Sequence, residues 1–288
     1  MTAIKELLST KSNGISVRLF EYDIDDNQSF KELKDYLISK IRASKVHNTE
    51  IYNLNFYYSK NLNPAFIEKL NKRVAEITVP KKSRIPQFDV RRERVTEWMA
   101  QLLLEKNYGC RFYEEADKRM NIEPVDIDKH TSGIDVPGLR IDNGMIKFVV
   151  CEVKASEENK IPCSSSASLQ DDIQKSINNN EERVTREILQ YMHGIRNVEM
   201  TNDELQMILD FLSKLIADSK NNLMENIMFF PVIIRNNEEI IKNKNVGDYR
   251  NFAVNGISSK NIENILLAFR KSINQFSNDI YEEAIGNE

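Results

Sequence analysis

Residues 132 to 156 read SGIDVPGLRIDNGMIKFVVCEVKAS, and the fold turns on how this stretch is paired. The run from Met145 to Val153 is apolar, β-branched and of strand length, and it follows the turn signal Asp142-Asn143-Gly144. The stretch therefore reads as a β-hairpin with Asp135 on its first arm and Glu152 and Lys154 closing its second. Side chains alternate along a strand, so Phe148, Val150, Glu152 and Lys154 share one face and Val149, Cys151 and Val153 the other. Both faces are apolar up to residue 152, which describes a covered, central strand.

The charged tip has two readings. A strand that leaves the core commonly ends in a solvated acid and base, and a three-residue ExK pattern recurs by chance. The sharper reading adds Asp135: if the arms pair around the turn, Asp135 and Glu152 converge on one divalent cation with Lys154 beside them. Two hard oxygen ligands, waters and a substrate phosphate are the usual way to hold magnesium. Such an ion activates water and steadies charge in the transition state, while Lys154 orients or deprotonates the attacking water.

Upstream of the hairpin, a helix is expected over residues 91 to 106, with Val95, Trp98, Met99, Leu102 and Leu103 along one side. Glu97 lies roughly opposite that stripe, which favours a solvated position, although Ala100 and Leu104 share its side and suggest cover. Gly109 is a stop signal, and Cys110 to Tyr113 (CRFY) reads as a short strand. The segment DKRMNIEPVDIDKHTSG reads as loop, its Asp126, Asp128 and His130 as surface groups. Before the helix, VPKKSRIPQFDVRRER reads as an exposed linker with six basic residues between Lys81 and Arg94. It is either a solvated junction or a phosphate-facing patch.

Residues 1–85 read as a small accessory α/β subdomain and 86–288 as the main domain. In the first, Ile15 to Tyr22 alternate as a strand, and Ser29 with Glu32 reads as a capping box opening a helix lined by Phe30, Leu33, Leu37 and Ile41. Residues 51 to 58 look like a strand, whose Tyr52, Tyr57 and Tyr58 suit core packing better than base stacking, and a helix from Asn63 follows. After the hairpin come a polar loop and helices over residues 169 to 177 and 181 to 195, the latter carrying Arg186 and Gln190 on its polar flank. A further helix spans 203 to 217, and a buried strand, Asn226 to Arg235, is demoted to an edge or bulge by Pro231. Residues 261 to 284 read as one closing helix.

The chain has 288 residues, 29% of them charged and 41% hydrophobic, ordinary for a globular protein. Its start lacks the apolar core of a secretory signal and no run reaches membrane-spanning length, so a cytoplasmic protein with no membrane partner is expected. Cys110, Cys151 and Cys163 have no metal-binding spacing and read as reduced thiols; with three histidines a histidine-based zinc site is not expected. The net charge of −4 opposes general nucleic-acid binding, which rests on phosphate neutralisation. Contact with DNA must then be local or delegated to a partner.

A helix bearing a glutamate, then strands bearing D…ExK, then helix and strand, resembles the PD-(D/E)XK nuclease superfamily over roughly residues 91 to 235. The resemblance implies an α/β fold of the restriction-endonuclease type, a mixed sheet flanked by helices. It also implies metal-binding acids at Asp135 and Glu152 with the Val153 carbonyl as a further ligand, a catalytic Lys154, a helix glutamate at Glu97, and magnesium, with manganese as a substitute. Ile134 stands where that pattern often has proline. The run GIDVPGLRI…KFVVCEVKAS further resembles the HamA-type nuclease subunit of Hachiman anti-phage defence. That resemblance implies a DNA-cleaving effector restrained by a superfamily 2 helicase in a heterocomplex. The alternatives are a restriction or repair endonuclease acting alone, and a catalytically silent regulatory or scaffold subunit.

Overall fold

The computed structural model describes residues 4–12, 14–51, 65, 66, 69, 85–113, 134–142, 144–157, 169, 171, 188, 189, 191, 192, 195, 201–217, 225–236, 238–247, 249, 252, 253 and 257–286. The chain is an α/β protein built on one seven-stranded mixed sheet flanked by helices. In chain order the described elements are β1 (Ile4–Ser12), β2 (Ile15–Tyr22), α1 (Asn27–Ile51), α2 (Ile85–Tyr108), β3 (Cys110–Arg111), β4 (Val136–Asp142), β5 (Met145–Ser156), α3 (Asn202–Ala217), β6 (Ile227–Arg235), α4 (Glu238–Asn243), β7 (Glu263–Ala268) and α5 (Ile273–Gly286). The strands lie in the order β1-β2-β7-β6-β5-β4-β3.

β4 and β5 form the expected antiparallel hairpin, with Val136 opposite Cys151 and Asp142 opposite Met145. Gly144 takes a φ of 76° in the turn, a conformation that costs a residue without Cβ little. β5 then pairs in parallel with β6 from Phe148 to Ser156, and β6, β7 and β2 continue in parallel. This parallel centre is covered on both sides, which is why every residue of β6 is buried and the strand reads as an unbroken apolar run.

One apolar layer packs α1, α2 and α5 against Phe20, Val149, Cys151, Val153, Phe230 and Leu267. The other packs Phe211 of α3 together with Leu169, Ile188 and Tyr191 against Leu19, Phe148, Val150, Phe229 and Leu266. Two 0%-exposed residues of α2, Ala100 and Leu104, show that the helix is covered on the side Glu97 shares as well as along its main stripe.

Several expectations are corrected by tertiary context. Residues 261 to 284 are not one helix: ENILLA is β7, and α5 begins at Ile273. A short apolar run buried on both faces has no period to separate strand from helix, and here pairing with β2 and β6 decides. Pro231 does not mark an edge, since β6 lies between β5 and β7; ladder pairing with β7 starts only at Val232, so the missing N–H falls in a gap. Much of the presumed linker is helix, because α2 already begins at Ile85 and Pro86 sits in its first turn, where no intrahelical donor is needed. Helix α1 starts two residues before Ser29, and Asp26 is its cap, with Oδ2 accepting from the Ser29 N–H at 3.2 Å.

β1 was not foreseen, and residue 51, expected to open a strand, ends α1. The described part of residues 1–85 lies on the common sheet: β2 pairs with β7, and Tyr22 Oη donates to the Met99 carbonyl of α2 at 2.7 Å. Residues 52 to 58, most of the helix expected from Asn63, the loop acids Asp126 and Asp128, His130, Cys163, Arg186 and Gln190 lie outside the described residues. No helix among the described residues is long and apolar enough to cross a membrane.

Candidate functional site

The register that pairs Val136 with Cys151 sets Asp135 opposite Glu152 at the mouth of the hairpin. Asp135 precedes β4 in a bend, so a side-chain contact with Glu152, and not ladder alternation, brings the two carboxyl groups together. They are hydrogen-bonded, and Asp135 Oδ2 also accepts the Val153 N–H at 2.7 Å. Two carboxyl groups so placed resist being ionised together. Burial pushes the Asp135 carboxyl above its ordinary range, against the pull of the Val153 N–H, the Lys154 ammonium and the bond to Glu152; the charge of Glu93 pushes it further up. Glu152 is only 4% exposed.

Glu152 lies in the carboxyl half of β5, four residues before its end and opposite Pro231 at the middle of β6. Lys154 is half-buried, opposite Ile233 of β6, on the Glu152 face. In an extended residue the N–H and C=O leave the strand on the same edge. The Val153 carbonyl is thus on the edge where Asp135 sits.

Of the residues singled out from sequence, Asp135, Glu152, Val153 and Lys154 are brought together. Glu97 is half-buried on α2, and its charge bears on Cys151 of β5 and on Tyr281 of α5, so it faces packed structure on both sides. Burial, then the Asp135 and Glu152 charges, push the Cys151 thiol far up; it and Cys110 are free and buried, as the thiol reading expects for these two.

Three neighbours escaped the sequence reading. Glu93, one helical turn before Glu97, is an α2 acid whose charge reaches Asp135, and the i, i+4 spacing was the available signal. Arg235 is 2% exposed at the end of β6, and by alternation with Phe229 and Ile233 it shares the Glu152 face. Its Nη1 donates to the Ile234 carbonyl at 2.9 Å. Glu157, three residues beyond Lys154, accepts from Ser272 Oγ at 2.6 Å and from the Asn274 N–H at 2.9 Å. Burial opposes its ionisation, but those bonds and the nearby Arg92 guanidinium outweigh it and hold the carboxyl below its ordinary range. No local pattern announces Glu157, because its partners lie more than a hundred residues away.

The donor set suits a hard cation: two carboxyl groups and a backbone carbonyl, all oxygen. Among the described residues no three His, Cys, Asp or Glu side chains come together as a metal-holding group. Two carboxylates with waters completing the shell match how magnesium is held. The chain matches no protein-family model and shows no detectable similarity to a curated protein.

Proposed function

We propose that this protein is a metal-dependent nuclease of the PD-(D/E)XK type that hydrolyses DNA phosphodiester bonds. The observation that supports it is the buried Asp135–Glu152 pair in the carboxyl half of β5, with Lys154 on the Glu152 face. A structural role explains such a pair poorly. Two facing acids are a cost to stability unless something positive comes between them.

In this reading Asp135, Glu152 and the Val153 carbonyl hold magnesium or manganese, which supplies positive charge for the phosphate oxygens and lowers the pKa of water. Lys154 Nζ orients the attacking water by hydrogen bonding and offsets charge on the phosphate. Water oxygen bonds to phosphorus, the ester P–O bond breaks, and the leaving oxygen takes up a proton. Glu97, or Glu93 from the same helix, adds negative charge to the rim of the site. The net charge of −4 leaves the chain a weak general grip on DNA, which favours a role as effector subunit, working in anti-phage defence beside a helicase that supplies that grip.

The test is plasmid cleavage with magnesium, by the full chain alone and with the product of any helicase gene that neighbours its own. Glu152→Ala and Lys154→Ala should each cut cleavage by about 100-fold or more. Retained cleavage in both variants rejects the site. Absence of cleavage by the wild-type chain under every condition supports the scaffold alternative instead.

A further inference from the structure

Beyond Cys151, β5 runs on without its first partner. Its ladder with β4 stops at the Val136–Cys151 pair, whereas pairing with β6 continues to Ser156 opposite Arg235. Among the described strands, the stretch that carries Glu152 and Lys154 therefore has a neighbour on one side alone. On the other side Asp135 Oδ2 accepts the Val153 N–H at 2.7 Å, upstream of Lys154. A strand paired along one edge opens more readily from its end, and a side chain near that end is then less well placed.

A restraint past that end comes from the corner between β7 and α5. Glu21, Ala268, Arg235 and Ser156 lie in one row across β2, β7, β6 and β5. The corner that follows Ala268 reaches three of these strand ends. The Phe269 N–H donates to the Arg235 carbonyl at 2.8 Å, and Arg270 Nε meets Glu21 Oε1 at 2.6 Å. Glu157, which directly follows Ser156, accepts through Oε1 from Ser272 Oγ at 2.6 Å and the Asn274 N–H at 2.9 Å, and through Oε2 from Asn274 Nδ2 at 3.0 Å. Both carboxylate oxygens are thus taken by an element that is itself fixed, since Ile273, Phe276 and Ile280 of α5 are buried in the core. The helix also has a cap of its own, Ser272 Oγ accepting the Gln275 N–H at 3.1 Å, so what Glu157 adds is chiefly the tie to β5. That tie lies roughly 10 Å along the strand from Lys154.

We propose that Glu157 is a positioning residue: by anchoring the one-sided end of β5 to the start of α5, it holds Lys154 where its ammonium meets the attacking water. This rests on the nuclease reading. Plasmid cleavage by the full chain is measured at saturating DNA and magnesium, under the condition in which the wild type cuts. Glu157→Ala should lower kcat by about 10-fold and leave KM and the magnesium dependence unchanged, because Asp135 and Glu152 stay in place. Glu157→Gln keeps an acceptor for Ser272 Oγ and the Asn274 N–H, and should hold kcat within about 2-fold of wild type. In a Lys154→Ala background, Glu157→Ala should cost nothing further, since residues acting through one another are not additive. Without metal or DNA, Glu157→Ala should speed amide exchange at Lys154 to Ser156 by about 5-fold and leave Val149 to Cys151, held between β4 and β6, unchanged.

A kcat loss that vanishes in the Lys154→Ala background and is rescued in Glu157→Gln supports the proposal. A Glu157→Ala chain that cuts like wild type, an equal loss with and without Lys154, or failed rescue in Glu157→Gln overturns it, as does exchange that speeds up along the whole of β5 or nowhere. The nuclease reading fails separately, through absence of cleavage by the wild-type chain or retained cleavage in Glu152→Ala and Lys154→Ala.

Discussion

The carboxyl half of β5 and the residue just beyond it carry two acids that the fold treats in opposite ways. Glu157 is met by donors from the first turn of α5, including a backbone N–H, and its carboxyl is held below the ordinary range. Five residues earlier, Glu152 is met by another acid, Asp135, whose carboxyl burial pushes up. Glu21, buried near the end of β2, resembles Glu157 in having a partner, the Arg270 guanidinium. The difference teaches where to look for chemistry. Glu157 and Glu21 are each met by donors of the chain, whereas Asp135 faces a second acid, and such a pair is stabilised when a cation binds between the two.

The sharpest break in the comparison comes from Glu157. Glu157→Ala removes the acceptor for Ser272 Oγ and the Asn274 N–H at the start of α5, and should cost about 1 kcal/mol, measured by chemical denaturation at pH 7. Because the folded-state carboxyl is lowered, its contribution is present above the ordinary glutamate pKa and is lost as pH falls through the lowered value. The gap between wild type and variant should therefore close under acid conditions. A gap that persists there would show that Glu157 acts by packing and not by charge.

Asp135 has the opposite sign and a smaller expected effect on stability. Its folded-state carboxyl is raised, so the folded chain holds its proton more tightly than the unfolded chain does. That favours folding at low pH and is lost as pH rises through the raised value. Asp135→Asn keeps an acceptor for the Val153 N–H and removes the buried acid. Without magnesium its Tm should equal or slightly exceed that of wild type at pH 7 and lose this advantage on acidification, while cleavage is abolished. A clear fall in Tm at pH 7 would place Asp135 among the fold-serving acids.

The hairpin was legible from sequence almost to the residue, because local signals agree: a turn triplet, β-branched arms and a period-2 pattern ending in charge. Once β4 and β5 are paired in register, Asp135, in the bend just before β4, falls beside the Glu152–Val153 stretch. What failed was decided by distant partners. ENILLA is a strand only because β2 and β6 lie on either side, and Pro231 is central only because β6 has two neighbours. Glu157 depends on α5, more than a hundred residues onward. Ser29 lost the cap of α1 to Asp26, three residues earlier, since either residue type can accept the free N–H groups there. Glu93 and Glu97 lie one turn apart on α2, and only the packing of that helix shows that the charge of Glu93 bears on Asp135.

The most direct measurement of the central claim is calorimetric titration of the full chain with magnesium, comparing wild type, Asp135→Asn and Glu152→Gln. The account predicts saturable binding to the wild-type chain and loss of binding in either variant. Wild-type binding that survives unchanged in both variants, or a wild-type chain that takes up no magnesium, would contradict it.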